Sequence, residues 1–561
     1  MIGHYDPNSV AAKAIYNAAA KYAREDQEVF AYGTAGFRMK ESKLDAVMFA
    51  MGILAALRSK KVQEETVGVM ITASHNRYQD NGVKLVDPRG DMLEESWEKY
   101  ATRIANARSP DEFRDAYARL LVDGGIDPDK KARVIIGRDT RPSGVRLSQA
   151  VIEGAEATGA TVIDYGILTT PQLHYLVRAT NTQGTSASYG EVSEQGYYKK
   201  LAAAFREALD DAKPLTLVTV DCANGVGAPK LKELLKHLPS GGEHDLEIRV
   251  VNDSIDQPDK LNEKVGADYV KTEESVPAHG FDGQSFDRWA SFDGDADRIV
   301  YYFNSDGPVF NILDGDRIAI LAASFIGDLI QKSGLSEKIK VSVVQTAYAN
   351  GASTAYIEQV LKLKVECTST GVKHLHHAAA RADVGVYFEA NGHGTVLFSS
   401  GTLKRIHNHA PESPAQADAL KILIALTNLI NQTVGDSISD LLLVEVVLAH
   451  KGWTVREWLA TYTDMPTKLA KARVPDRGAY ATVEGSAERK LQNPPGFQAQ
   501  IDRVVAKYKD GRCFVRPSGT EDVVRVFGEA RERFDVEDMV GRVLGLIETQ
   551  SSGQAQGKAH S

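Results

Sequence analysis

Apolar, β-branched runs recur along this chain, and each is followed by a polar or glycine-rich loop and then by an amphipathic helical stretch. That order constrains the fold more than any other feature. Strands that run parallel need a crossover of a dozen or more residues, usually a helix, so the pattern specifies βαβ units in mixed α/β layers. VGVMI (Val67 to Ile71) precedes TASHN; ARVIIG (Ala132 to Gly137) precedes RDTRPSG and a helical run from Leu147 to Gly159. LTLVTVD (Leu215 to Asp221) precedes CANGVG and PKLKELLKHL. A third unit has an amphipathic stretch from Asp316 to Gln331, the strand VSVVQT, a helix to about Leu361 and the strand VECTST. From Met465 short alternating runs surround a Pro-rich stretch (Asn493 to Gly496), which predicts a smaller α+β domain with a mainly antiparallel sheet and a helix ending near Glu548. The polar segment SSGQAQGKAHS after it is expected to be disordered.

At roughly 150 residues per domain, 561 residues call for three to five compact units. Hydrophobic residues make up 43% and charged residues 25%, the balance of a folded, water-soluble protein. Lys plus Arg number 66 and Asp plus Glu 75, so the net charge is −9 and the basic footprint of a nucleic-acid or anionic-membrane binder is missing. No run approaches the ~18 apolar residues of a membrane helix, and MIGHYDPNSV has no basic flank before an apolar core. The expectation is a cytoplasmic protein with no nucleic-acid and no membrane partner. Cys222, Cys367 and Cys513 lie far apart without CxxC spacing, which excludes a disulfide framework and a structural zinc site.

Four short segments carry chemistry. Thr72-Ala73-Ser74-His75-Asn76 follows an apolar strand, where a serine hydroxyl is placed as a nucleophile or as a site of phosphorylation, although such a serine is by itself more often a turn residue. It has no GxSxG elbow, so an esterase is disfavoured. In Ser291-Phe292-Asp293-Gly294-Asp295-Ala296-Asp297-Arg298, three aspartates at alternate positions aim hard oxygens at one divalent cation. An EF-hand loop needs Gly at its sixth position and Glu at its twelfth; Arg298 and Asn304 stand there, and magnesium, which takes few protein ligands beside a phosphate oxygen, suits the loop better.

The third segment, Glu389-Ala390-Asn391-Gly392-His393-Gly394, places an acid, an amide and an imidazole where they can bracket sugar hydroxyls, and nearby Thr370-Gly371-Val372-Lys373 offers a cation to the same pocket. His374, His376 and His377 have no acidic or Cys neighbour and read as surface and core residues rather than a zinc cluster. The fourth, Arg516-Pro517-Ser518-Gly519-Thr520-Glu521 with Arg525 beyond it, combines two guanidiniums, two hydroxyls and a Gly turn into a nest for a phosphate dianion. It lacks GxxxxGK[ST], so no nucleotide loop is implied.

A phosphorylatable serine, a cation loop, a hydroxyl-binding loop and a phosphate nest describe an enzyme that moves phosphoryl groups on a sugar. With them in place the chain resembles the α-D-phosphohexomutase superfamily. AYGTAGFR (Ala31 to Arg38), ITASHN, DNGVKLVDPRG (Asp80 to Gly90), GRDTRPSG (Gly137 to Gly144), SFDGDADRIVYY, EANGHG and RPSGTEDVVRV occur in the family's order over nearly the whole chain. EANGHG points to the branch acting on N-acetylglucosamine phosphates, since relatives acting on glucose or mannose phosphates carry a different Glu-containing loop. Arg77 departs from the pattern, standing where the family usually has proline, and Glu273 to Phe286 reads as a variable surface insertion.

The resemblance implies an α/β fold in four-domain phosphohexomutase architecture: three mixed α/β domains plus a smaller α+β C-terminal domain around a central cleft. The expected bounds are 1–182 (phosphoserine loop), 183–308 (metal-binding loop), 309–452 (sugar-binding loop) and 453–548 (phosphate-binding loop), with 549–561 a disordered tail. Ser74 would be the phosphoserine, and Asp293, Asp295 and Asp297 would hold one Mg²⁺ per chain with an oxygen of Ser74's phosphate. Arg38, Lys84 and Arg298 would share the charge of the transferred group, and His75 would move a proton. Glu389, Asn391, His393, Thr370, Gly371 and Lys373 would bind the sugar, and Arg516, Ser518, Gly519, Thr520 and Arg525 the phosphate that is not reacting. The implied reaction is reversible conversion of N-acetylglucosamine 6-phosphate to the 1-phosphate, with hexose 1,6-bisphosphate as activator and intermediate, in a monomer or weak homodimer. A phosphoglucomutase or phosphomannomutase, and a non-catalytic phosphosugar-binding relative, are the alternatives.

Overall fold

The computed structural model describes the chain except residues 1–5, 8, 216, 240, 241, 243, 244, 308, 519–521 and 559–561. The apolar run predicted around Val67 is a strand buried along its whole length. It is β2 (Thr66–Ile71) of a sheet with β1 (Phe37–Lys40), β3 (Asp80–Val86), β4 (Ala132–Arg138) and β5 (Ala160–Ile167), in the order β1-β3-β2-β4-β5. β2, β4 and β5 are parallel, whereas β3 is antiparallel to both of its neighbours. The helices Asp45–Lys61 and Gly144–Ala157 pack on each other, and the first is buried on nearly every side, which is why its sequence is apolar all round. The second starts three residues before the expected Leu147, because the RPSG turn closes at once into helix.

A second sheet repeats that layout. β6 (Leu217–Asp221), β7 (Glu247–Val251), β8 (Trp289–Phe292), β9 (Ile299–Ser305) and β10 (Val309–Leu313) lie in the order β10-β9-β8-β6-β7, with β7, β6 and β8 parallel and β9 and β10 returning antiparallel. β11 (Val341–Thr346), β12 (Lys364–Thr368), β13 (Val384–Phe388) and β14 (Gly394–Phe398) form a third in the order β12-β11-β13-β14, β11 being parallel to β12 and β13. The fourth, β15 (Thr467–Arg473), β16 (Arg512–Pro517) and β17 (Val523–Glu529), is antiparallel in the order β15-β17-β16, as the change of pattern after Met465 predicts.

The chain divides into two compact units. The first, Met1–Asp314 with Asn391–Thr395 and Ala410–Val455, holds the first two sheets, and its helices Pro414–Leu429 and Ser437–Lys451 pack on the helix Glu194–Leu209. The second, Gly315–Ala390 with Val396–His409 and Arg456–Ser561, holds the third and fourth sheets apart from the start of β14.

The stretch 273–286 is largely exposed, as expected of an insertion, but tethered: Phe281 lies against Trp289 with ring centroids 4.6 Å apart, and Asp282 pairs with Arg249. The tail differs from expectation. The last helix, Arg533–Lys558, continues through most of the segment 549–561 read as disordered; residues 559–561 lie outside the described residues. Gly553, Gly557 and two serines there lower the helix propensity, but extending an existing helix needs no new nucleus. Cys222, Cys367 and Cys513 are free thiols, and among the described residues no helix is long and apolar enough to cross a membrane.

Candidate active site

In open α/β sheets, chemistry collects at the carboxyl ends of parallel strands. Ser74 lies just past β2, wholly buried and in the left-handed region at φ +50. A β-branched or bulky residue would resist that conformation; serine accepts it at a cost the surroundings must hold in place. Its N–H donates to Thr72 Oγ1 (2.9 Å), whose hydroxyl donates to Asp139 Oδ2 (2.6 Å) at the end of the neighbouring β4. Ser74 Oγ donates to Asp293 Oδ2 at 2.6 Å and lies 3.4 Å from His75 Nδ1. Burial, with Arg298 and Arg38 nearby, pushes the His75 imidazole down to about 2, so it is neutral.

Asp293, Asp295 and Asp297 follow β8, the central strand of the second sheet, and their carboxylate oxygens lie within 4.8 Å of one another. Ala296, at φ +59, makes the turn that aims them inward. Asp293 Oδ1 accepts the N–H groups of Asp297 (3.0 Å) and Arg298 (3.2 Å). Asp295 Oδ2 accepts Thr170 Oγ1 (2.6 Å), and Lys84 Nζ lies 3.2 Å from both Asp295 Oδ2 and Asp297 Oδ2. Burial and the charges of Asp297 and Asp295 push the Asp293 carboxyl well above the usual range. At Asp297 burial acts the same way, but Lys84, His393 and Arg298 outweigh it and hold the carboxyl well below. Burial would likewise depress the Lys84 ammonium, yet Asp295 and Asp297 keep it above its ordinary value. Burial and crowding thus set these carboxylates against one another, a repulsion that a further cation would offset. Asp295 Oδ1, buried, accepts no hydrogen bond from the described residues. Three hard oxygen donors within 4.8 Å of one another, one of them with an oxygen that meets no proton donor among the described residues, fit a divalent cation of the magnesium type.

Arg38, on β1, reaches Asn76 Oδ1 (3.3 Å), and Arg298 Nε lies 3.8 Å from Asp293 and Asp297. The EANGHG loop divides between the units: Glu389 and Ala390 belong to the second, Asn391 to Thr395 to the first. His393 N–H donates to Asn391 Oδ1 (3.0 Å), and His393 Nδ1 stands 3.2 Å from Asp297 Oδ1. The imidazole read as a sugar ligand is therefore also a neighbour of the carboxylate cluster.

In the second unit, Arg516 and Arg525 stand opposite each other across β16 and β17, and Lys471 of β15 faces Arg525 on its other side. Like charges directly opposite destabilise a sheet, and an anion lying over such a row offsets the repulsion. Arg516 Nε donates to Tyr348 Oη (2.8 Å), and its Nη1 lies 3.4 Å from Glu488 Oε1; Glu488 Oε2 accepts the Thr370 N–H (3.0 Å). Glu488 thus ties the Thr370-Gly371 loop to the arginine nest. Lys373 is buried on the helix Val372–Ala379, and buried Ser518 donates its N–H to Val523 O (2.9 Å). Gly519 and Thr520 lie outside the described residues. His376 is buried, its Nδ1 3.0 Å from Tyr387 Oη, and His377 is exposed; among the described residues only the three aspartates form a metal-type cluster.

Sequence reasoning missed Thr170, Asp139, Arg141, Asn262, Tyr348, Glu488 and Lys471. GRDTRPSG marked Asp139 and Arg141 as part of a motif, but their role depends on β4 lying beside β2. The others reach the site only through tertiary packing.

Four family models cover most of the chain: phosphoglucomutase/phosphomannomutase, alpha/beta/alpha domain I (residues 41–112 and 111–199); phosphoacetylglucosamine mutase AMG1, domain II (188–300) and domain III (314–453); and phosphoglucomutase/phosphomannomutase, C-terminal domain (469–545). A phosphoacetylglucosamine mutase of Sus scrofa is 48% identical over 548 residues, covering 96% of this chain and 98% of the relative. The crystal structure of Aspergillus fumigatus N-acetylphosphoglucosamine mutase with GlcNAc-6P and magnesium is 55% identical, covers 97% of this chain and 100% of that one, and superposes with a TM-score of 0.93. A variant of the same enzyme with glucose 1,6-bisphosphate is 55% identical over 97% of this chain and 99% of that one, with a TM-score of 0.91. A buried serine facing three aspartates, in a chain matched by four successive domain models, defines a phosphohexomutase. Two of those models and the near full-length relatives narrow the class: the chain belongs to the phosphoacetylglucosamine mutase family.

Proposed function

We infer that this chain reversibly interconverts N-acetylglucosamine 6-phosphate and N-acetylglucosamine 1-phosphate through a phosphoserine enzyme and a bisphosphate intermediate, feeding UDP-N-acetylglucosamine synthesis. The observation that carries this is Ser74, held left-handed at the end of a buried strand with its Oγ 2.6 Å from Asp293. Phosphoglucomutase or phosphomannomutase activity and a silent binding role are not favoured, because the likeness to phosphoacetylglucosamine mutases runs through 96% of the chain and the serine and all three aspartates are intact.

In the forward direction the free hydroxyl of the sugar phosphate attacks the phosphorus on Ser74. The new sugar O–P bond forms as the Ser74 Oγ–P bond breaks, and the hydroxyl proton passes to a base, with His75, 3.4 Å from Ser74 Oγ, as the candidate proton carrier. The bisphosphate turns end for end, and Ser74 Oγ takes the other phosphoryl group, releasing the isomeric monophosphate. Hexose 1,6-bisphosphate primes Ser74 in the same way. Charge builds on the equatorial oxygens in a loose transition state, so catalysis rests on positioning and electrostatics. Lys84, Arg38 and Arg298 supply fixed positive charge there. One Mg²⁺, when bound by Asp293, Asp295, Asp297 and a phosphoserine oxygen, adds to that neutralisation. Arg516, Ser518, Gly519, Thr520 and Arg525 grip the phosphate at rest, while Glu389, Asn391, His393, Thr370, Gly371 and Lys373 hold the sugar.

The expected domains end near residues 182, 308 and 452. An acidic chain with three free thiols supports a cytoplasmic enzyme; a monomer or weak homodimer is the assembly proposed. Ser74→Ala, assayed with Mg²⁺ and a trace of glucose 1,6-bisphosphate, is expected to lose at least about 1,000-fold in turnover; near wild-type activity would sink the covalent mechanism.

A further inference from the structure

We propose that Asn262 is a positioning residue that gauges the distance between the serine loop and the aspartate loop. The inference rests on the mutase reading, since it concerns the serine which that reading makes the phosphoryl carrier. Asn262 sits on the loop before the helix Ala267–Glu273, outside every motif that marks the site. Its side-chain amide donates both hydrogens to the serine loop, one to Ser74 O (2.9 Å) and one to Asn76 O (2.8 Å). Arg141, from the other side, uses Nη2 on the same two carbonyls, Ser74 O at 3.1 Å and Asn76 O at 2.5 Å.

The two clamps differ in what anchors them. Arg141 is fully buried, held through Nε to Asp80 O (2.9 Å) and through Nη1 to Asp139, so it ties the serine loop to its own sheet. Asn262 belongs to the second sheet's surroundings: its backbone N–H donates to Ala223 O (3.0 Å), and it is itself left-handed at φ +56. It also touches the aspartate loop. A Cβ on Gly294 would lie 2.5 Å from Ser74 O and 2.8 Å from Asn262 Nδ2, so serine loop, amide and aspartate loop meet with no spare room. Next to Asn262, Glu263 pairs with Arg77 (3.0 Å), a second but exposed grip on the same loop.

A serine held at φ +50 needs its carbonyl direction fixed, because that peptide sets where Oγ points. Each of the two carbonyls takes one charged and one neutral donor. The charged donors hold the loop together; the neutral amide sets its offset from Asp293. Losing that offset shifts the reacting oxygen rather than the sugar site. The effect therefore falls on kcat and on serine phosphorylation, with KM little changed.

The test uses the full-length enzyme with Asn262→Ala and Asn262→Asp, the latter keeping the shape while replacing the amide nitrogen and both its hydrogens with one carboxylate oxygen that faces two carbonyls. Three readouts are taken: the single-turnover rate of ³²P transfer from glucose 1,6-bisphosphate to Ser74, kcat and KM for N-acetylglucosamine 6-phosphate, and the melting temperature. Expected are a fall of at least about tenfold in both phosphoryl-transfer rate and kcat for Asn262→Ala, a larger fall for Asn262→Asp, and KM within about twofold. If both variants transfer at the wild-type rate, the proposal is overturned while the mutase reading stands. It is overturned equally if activity falls only in step with the folded fraction or through KM. If the wild type neither labels Ser74 nor turns over, the mutase reading itself fails. Should Asn262→Ala not fold, Asn262→Asp decides the question alone.

Discussion

Gly392 offers the sharpest test of how the site is assembled. At φ +86 it occupies a region that costs an L-residue about 1–2 kcal/mol. A Cβ there would lie 1.9 Å from Ile299 O and 2.5 Å from Ile299 C. Both are backbone atoms of β9, which cannot swing aside as a side chain can. Ordinary contact needs about 3.4 Å, so Gly392→Ala must move the loop or the strand by about 1.5 Å. The displaced loop carries His393, whose Nδ1 stands 3.2 Å from Asp297. A misplacement of about 1 Å near a reacting centre can cost about 100-fold, so kcat/KM for N-acetylglucosamine 6-phosphate is expected to fall by about that factor. Gly452→Ala separates strain from displacement. Gly452 is also left-handed, at φ +60, capping the helix Ser437–Lys451, but a Cβ there meets nothing within 4 Å. That variant pays the backbone cost alone and keeps activity within about twofold. If Gly392→Ala performs like Gly452→Ala in a coupled assay of 1-phosphate formation, the loop does not position His393 as described.

Three further outcomes are expected. Arg525→Ala removes one cation of the Arg516, Arg525 and Lys471 row, so KM rises about tenfold or more while kcat changes little, as loss of a charge-assisted phosphate contact requires; an unchanged KM contradicts the nest. Asp440 is buried, neither carboxyl oxygen meets a hydrogen-bond donor among the described residues, and burial with Asp436's charge pushes its carboxyl well above 3.8. A raised folded pKa means stability is lost as pH climbs above the unfolded value, at up to about 1.4 kcal/mol per pH unit, so Asp440→Asn gains on the wild type as melts move from pH 5 to pH 8; parallel curves would refute this. His174, buried with its Nδ1 2.6 Å from Gly90 O, is pushed by burial down to about 4, so its neutral form stabilises the fold above pH 6.5. That stability, about 3 kcal/mol, drains as pH falls from 6.5 to 4, and His174→Gln should flatten this part of the acid-unfolding profile measured by circular dichroism.

The elements were legible because each is written locally. Val67 to Ile71 is apolar on both faces because β2 is flanked by strands and covered by helices, and the alternation after Met465 marks an antiparallel sheet with one wet face. The polar, Gly-containing tail beyond Glu548 reads as disorder, whereas the last helix runs on to Lys558, because lengthening a helix already begun needs no new nucleus. The aspartates were legible for a similar reason: three carboxylates at alternate positions are hard to explain without a cation.

The residues that aim the chemistry were not legible. Thr170, 125 positions from Asp295, and Asn262, 188 positions from Ser74, have ordinary neighbours in the chain and acquire their roles only when two sheets bring their loops together. By itself the sequence determined which side chains could carry phosphoryl chemistry, and so the class of enzyme, because functional groups and strand periodicity are local properties. Only the tertiary structure decided how the serine is held, that burial and its neighbours push the Asp293 carboxyl well above the usual range, and that His393 faces Asp297. Those depend on distance and burial, and folding sets both without regard to separation along the chain.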